Sequence, residues 1–396
     1  MPEPFEKPFT QQEPLPEEAI EAAVAMLRTG RLHRYNVAAG ETSETALLEA
    51  EFAAYLGVPY CLATASGGTA MQVAMGACGV APGDLVLTNA FTLSPVPGAI
   101  HAVGARPVLV ETTDDLVIDL EDLAAKAASS GARFLMVSHM RGHLVDMDAL
   151  MELASSLGLT VIEDCAHTMG GAWNGKASGT FGRAACFSTQ TYKHINSGEG
   201  GFVTTDDPDV MARAIVRSGS YMLYDRHIAA PPPEHFQDAR LDMPNCSSRM
   251  DNLRAAILRP QLRDLSRQVD RWNERYNALQ DGLRSVPGIR LRETPNAETH
   301  VGSSIQFRLP DLSDQGVQQF LAATLAVGVE LKWFGAPEPH GYTSSHHSWR
   351  YAGEQTAPKT DALLSRLFDM RIPLTFSVDD CRQIAGLIAE CVAQLD

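Results

Sequence analysis

The chain has 396 residues, 45% hydrophobic and 20% charged, which suits two globular domains and excludes a disulfide-stapled miniprotein, a disordered chain or a coiled-coil rod. With 48 acidic against 32 basic side chains the net charge is −16, so nucleic acid and anionic membrane surfaces are not expected partners. The seven cysteines form no C-x-x-C pair and sit mostly in apolar stretches; with an acidic, proline-rich start that lacks the parts of a secretory signal, they point to the cytoplasm.

From residue 60 to 205 short apolar runs alternate with segments of helical length and period. Strands are predicted at Tyr60–Ala65, Leu85–Asn89, Pro107–Glu111, Arg133–His139, Thr160–Asp164, Ala184–Ser188 and Phe202–Thr205. Residues 52–83 carry no charged side chain, but Pro59, Ser66 and several glycines break the run, so it reads as buried structure and not as a membrane span. Asp146–Leu157 puts Met147, Leu150, Met151 and Ala154 on one face behind an acidic first turn, the pattern of an amphipathic helix. Strands joined by crossover helices make an α/β domain with a mostly parallel sheet. Residues 218–247, which include AAPPPEHF, predict a long functional or inter-subunit loop, and Met250–Gln280 a long helix. Beyond them a strand at Ser304–Arg308, helices near 314–327 and 378–395, and a loop with Trp333, His340, Tyr342, His346, His347 and Trp349 predict a smaller α+β domain. The expected division is 1–260 and 261–396.

Three motifs carry chemistry. Ser66-Gly67-Gly68-Thr69 follows an apolar strand and opens a helix, where free backbone N–H groups and the dipole favour a phosphate; a plain tight turn is the alternative. Glu163-Asp164-Cys165-Ala166-His167 lies at a strand's C-terminal end, and Asp164, if buried, needs a positive partner such as a protonated ring nitrogen; a helix N-cap explains it equally well. The third runs from Phe187 to Lys193, before the turn Ser197–Gly201. Lysines number only six beside 26 arginines, and Schiff-base chemistry needs an amine that its surroundings can deprotonate, which makes Lys193 the candidate; by itself, an ordinary surface lysine is the default reading. Phosphate cradle, carboxylate and lysine at successive strand ends are together the parts that hold pyridoxal phosphate. His340, His346 and His347 have no familiar metal-ligand spacing, and no metal is expected.

At this level the sequence resembles the DegT/StrS-type aminotransferases. The resemblance rests on LRTGR at 27–31, EAEFAAYLG at 49–57, Gly68-Thr69-Ala70, Gly83-Asp84, Gly104–Val108, Asp146–Asp148, the two motifs ending at His167 and Lys193, Gly198–Gly201, and Arg249-Met250 before Ala255-Ala256. It implies a fold type I pyridoxal-phosphate enzyme that transfers an amino group from a donor, glutamate or glutamine, to a keto-sugar, cyclitol ketone or related polyol carbonyl. Lys193 then forms the Schiff base, Asp164 partners the pyridine nitrogen, and Ser188 with the Gly68 and Thr69 amides holds the phosphate. Phe91 stacks on the ring, and His167 stands beside the phenolic oxygen where many members have Gln. A homodimer with sites at its interface is implied too, Ser247 occupying the position of an Asn that reaches the partner's phosphate. His143 replaces a common Gln in the substrate pocket. A lyase or dehydratase of the same fold, like the aminohydroxybenzoate synthase branch, or a non-catalytic cofactor-binding protein would carry the same cofactor residues.

Overall fold

A computed structural model describes residues 3–340 and 345–395. Every predicted strand between 60 and 205 forms within a residue of its expected bounds: β1 (Tyr60–Thr64), β2 (Leu85–Asn89), β3 (Arg106–Val110), β4 (Phe134–Ser138) and β5 (Thr160–Asp164). The ribbons β6 (Ala172–Trp173) and β7 (Lys176–Ala177) precede β8 (Ala184–Ser188) and β9 (Gly201–Thr205). Seven of these make one sheet in the order β1-β9-β8-β5-β4-β2-β3, parallel throughout except that β9 runs against both of its neighbours. The C-terminal ends of β2, β4, β5 and β8 therefore open on one edge, where α/β sheets place ligands.

Helices cover both faces. The small side chains of α3 (Gly67–Ala77), Ala70, Ala74 and Ala77, let it lie close on the sheet, and Ser66 caps it by accepting the Thr69 amide. On the opposite face Phe52 of α2 (Glu44–Leu56) stacks on Phe202 at 4.2 Å between ring centres. The segment 218–247 is mostly irregular, as expected, but includes a short helix, Phe236–Asp242, docked by the buried Phe236 against Tyr224. The single helix expected over 250–280 is two, Asn252–Arg263 and Leu265–Arg284. Pro260, near the end of the first, has no N–H for the Ala256 carbonyl, and Asp264 at the junction is non-helical.

The second sheet is antiparallel, built from β10 (Arg290–Leu291), β12 (Ser304–Arg308), β13 (Lys332–Trp333) and β14 (Leu367–Arg371), with helices Asp314–Ala326 and Val378–Ala393. Phe5 and Phe9 pack into its core against Phe376, so the start of the chain completes the later domain although it precedes the earlier one. The two domains are also stitched by β11 (Glu298–Thr299), which pairs with β6. Among the described residues no helix is long and apolar enough to cross a membrane, and all seven cysteines are free, six of them buried.

One wholly buried ion pair anchors the stretch before α2. Arg34 meets Glu49 through two bonds of 2.7 and 2.9 Å, and both side chains are fully shielded. Burial alone would raise the Glu49 carboxyl, but Arg34 and then His227 outweigh it and hold the group down at about 2. Glu49→Gln leaves a buried guanidinium uncompensated and is expected to lower stability by about 3–5 kcal/mol in urea unfolding at pH 7. Because the folded carboxyl titrates below its ordinary value, this contribution is present above about pH 4.5 and fades towards pH 2, so the gap between wild type and variant should narrow over that window.

Candidate active site

The strand ends bring the predicted motifs together. Gly67 stands so close to β8 that a Cβ there would lie 2.7 Å from Cβ of Ser188, which makes the helix start and the Ser188 turn walls of one cradle. The Thr69 amide is taken by Ser66 Oγ at 3.1 Å, and the Thr69 hydroxyl lies 2.6 Å from the same oxygen. The cradle therefore offers an anion the Gly68 amide and the Thr69 and Ser188 hydroxyls, with the Thr69 hydroxyl in place of the Thr69 amide expected beside Gly68 and Ser188.

Asp164 ends β5 and is 6% exposed. Ser138 Oγ donates to it at 2.9 Å and the Ala166 amide at 3.2 Å, which fixes the carboxylate. Lys193 follows β8 on a turn closed by its own amide to the Gln190 carbonyl, and its Nζ is 2.8 Å from Nε2 of His167. Burial pushes the Lys193 ammonium down to about 7, with Arg141 adding to the effect and Asp164 opposing it. Burial and then Lys193 hold His167 well below its ordinary value, so the imidazole is neutral and accepts from the ammonium through Nε2.

Phe91 and His143 are not among the residues that line the cleft beside Lys193. Phe91, expected to stack on a cofactor ring, is 1% exposed and packs edge-on against Phe334 at 5.0 Å; the side chain from this loop that lines the cleft beside Lys193 is Leu93. His143 does not line the cleft either. It is buried behind it, 2.7 Å from Gln306 Oε1, and Gln306 in turn donates to Asp369. Ser247 is exposed in a left-handed turn, φ 50°, bonded to Asn245, and is not among the residues lining its own chain's cleft. His346 and His347 both meet Asp361 Oδ1, at 2.8 and 2.9 Å; this acidic neighbour comes from the helix Pro358–Leu364, out of view of any local spacing. His340 is exposed and outside that cluster, and Tyr342 lies outside the described residues.

The cleft beside Lys193 has about 690 Å³ of open space. Gln190 and Tyr192 come from the lysine motif, but Arg141, Trp272 and Arg371 also line it and come from distant segments. Arg141 carries an unusual positive φ of 58° and bonds to Asp369 at 2.7 Å, joining the domains behind the cleft.

This arrangement of motifs matches the family model described as the DegT/DnrJ/EryC1/StrS aminotransferase family over residues 16–389. The chain belongs to that family. A dTDP-3-amino-3,4,6-trideoxy-alpha-D-glucose transaminase of Micromonospora megalomicea subsp. nigra is 33% identical over 257 residues, 64% of this chain and just under two thirds, 66%, of that protein. An L-glutamine:2-deoxy-scyllo-inosose aminotransferase of Streptoalloteichus tenebrarius is 30% identical over 370 residues, 92% of this chain and 85% of that one. The crystal structure of DesV from S. venezuelae superposes with a TM-score of 0.80 at 27% identity, covering 96% and 95% of the two chains, and the fold is accordingly type I.

The family's cofactor is pyridoxal 5′-phosphate, and the residues present fit it: an anion cradle joined at Gly67 and Ser188, a fixed buried carboxylate, and a lysine whose amine is half free at neutral pH. When pyridoxal phosphate is added to cofactor-free protein, the rate at which its visible band shifts should rise with pH through about 7 and level off above, since the neutral amine is the nucleophile. A rise centred near the ordinary lysine value would contradict the depressed Lys193. Lys193→Ala should stay folded and show no such band.

Proposed function

We propose that the protein is a transaminase that takes an amino group from glutamate or glutamine and delivers it to the ketone of a cyclitol, modified sugar or related polyol. The observation that carries this is the Lys193 and His167 pair, 2.8 Å apart, with the lysine held near neutrality. Bound pyridoxal phosphate supplies the carbonyl that takes up the amino group and the electron sink that makes the adjacent C–H acidic. The chain's residues do the rest. Lys193 Nζ takes the proton from the donor's α-carbon and returns it on the cofactor side, a task suited to an amine that is partly free at pH 7. His167 keeps that amine in position. Asp164, steadied by Ser138, holds a proton on the pyridine nitrogen, and Ser188 with the Gly68 amide anchors the phosphate. The transaminase activities of the Micromonospora and Streptoalloteichus relatives, on a deoxy-sugar and on an inosose, support an amino-sugar or aminocyclitol product.

The reading includes a homodimer with Ser247 reaching the neighbouring site. Supporting it, Tyr221, Met222, Ile228 and Leu241 are each more than half exposed in the segment that leads to Ser247, an apolar surface suited to an isologous contact. Sedimentation should give a dimer; a fully active monomer would remove this part.

The test of the chemistry is a half-reaction screen. Glutamate or glutamine should bleach the cofactor's visible band, and a polyol ketone should restore it. If neither donor changes the band and an amino substrate instead gives an eliminated product, the lyase reading replaces this one.

A further inference from the structure

We propose that His346, His347 and Asp361 form a site for a divalent transition-metal ion, Zn²⁺ by the character of its donors, which staples the segment 345–352 to the helix Pro358–Leu364. The Nε2 atoms of both histidines approach a single oxygen, Asp361 Oδ1, at 2.8 and 2.9 Å. The two residues are consecutive in a 3₁₀ turn, where successive side chains point about 120° apart. Their rings nevertheless lie 4.0 Å apart, and the three donor atoms all fall within 4.8 Å of one another. Side chains that leave the backbone in different directions and meet on one atom make the claw that a chelated ion needs. The expectation of no metal rested on local spacing, and the acid arrives from the next helix.

Two imidazole nitrogens and a carboxylate oxygen suit zinc and disfavour Mg²⁺ and Ca²⁺, which prefer oxygen throughout. Bonds of about 2.0–2.1 Å around a tetrahedral ion set donor atoms about 3.3 Å apart, so each contact has to open by about half an ångström. His347 is largely exposed and can make that shift, and its open side admits the water that completes the coordination. Without the ion each Nε2–H donates to Oδ1; with it, both nitrogens offer lone pairs and the rings carry their protons on Nδ1. Both elements are held from beneath. The His346 side chain is buried, and Trp349 sits in an apolar cluster with Ala90, Leu109 and Ala357. On the helix, Thr360 Oγ1 donates to Glu111 at 2.6 Å and accepts the Thr112 amide at 2.9 Å, so the donors are presented by fixed backbone. Two other groupings of histidine with acid are already satisfied: Glu163 beside His139 accepts three backbone amides, and Glu298 beside His300 is paired with Arg292. None of the three proposed ligands lines the cleft beside Lys193, so the site is separate from it.

The test is calorimetric titration of the cofactor-loaded enzyme, freed of metal by chelation and of unbound cofactor by dialysis, with Zn²⁺ and with Mg²⁺. One Zn²⁺ per chain should bind at micromolar concentration or below, and Mg²⁺ at least about a hundredfold more weakly. His347→Ala, on an exposed side chain, and Asp361→Asn, of the same shape, should each weaken Zn²⁺ by about a hundredfold, the upper end of the loss from removing even an outer partner. His340→Ala, at an exposed position outside the cluster, should bind as wild type. Zn²⁺ should also slow tryptic cleavage after the exposed Arg350 in wild type and not in the His347 variant, while the cofactor band stays unchanged. Absence of binding, equal affinity in wild type and both folded variants, loss of binding on His340→Ala, or Mg²⁺ binding as tight as Zn²⁺ overturns the site. Zn²⁺ binding that leaves cleavage after Arg350 unaltered overturns the staple.

Discussion

The ion pair between Arg141 and Asp369 governs how this site is assembled, because it ties the loop after β4 to β14 directly behind the cleft. Asp369 is completely buried and Arg141 nearly so, which means that neither charge has water to fall back on. Removing one partner from such a pair typically costs about 3–5 kcal/mol. The left-handed backbone at Arg141 costs roughly 1–3 kcal/mol, so the pair is strong enough to hold the strained turn. Gln306 bridges Asp369 to His143, whose ring stacks on His300 at 5.4 Å, and Glu298 joins His300 to Arg292. The contact between domains is thus a polar chain in which the position of one domain sets the position of a cation beside Lys193.

That cation shapes the chemistry of the lysine. Burial is the larger cause of the depressed Lys193 amine, but Arg141, Arg371 and Lys332 all act in the same direction, and Asp164 opposes them. The histidines nearest the lysine are kept neutral by burial, His167 well below its ordinary value and His194 down to about 3, so neither adds a positive charge near neutral pH. His167 can then act as an acceptor that orients the amine without competing for its proton.

The legible part of the fold and site was what is local in the chain. Each strand is a short apolar run, and Ser66–Thr69, Asp164, Ser188 and Lys193 are each attached to the end of one, so the parallel sheet brings them together without further information. Leu93 and Phe91 both follow β2 within one loop, and Leu93 is the one that lines the cleft while Phe91 packs on Phe334 from the later domain, a contact that no local pattern announces. Arg141, Trp272 and Arg371 carry no local signal at all: an arginine in a turn, a tryptophan on a helix and an arginine at a strand end become neighbours only once the domains dock. Asp361 likewise meets His346 and His347 from an element more than a dozen residues away. The break at Asp264 was readable in principle from Pro260, and the helical pattern running through it concealed the signal.

This division between local and docked residues has a chemical counterpart. The groups assigned to the cofactor lie on the large sheet, where strand register holds them whatever the second domain does. The second domain supplies the far wall of the cleft, including Ser303, Ser304, Arg371 and Ile372. Gln12 also reaches that wall, on a chain start pinned by Phe5 and Phe9 in the same core and by Glu13 on Arg271. Substitutions in that core can therefore shift the wall against substrate while leaving the lysine, carboxylate and phosphate cradle in register. Substitutions that loosen Gly67 against Ser188 would disturb the cradle itself. Substrate choice and cofactor retention are consequently separable in this fold, joined chiefly through Arg141, which lines the substrate cleft, pairs across the domains and helps to set the lysine's proton affinity.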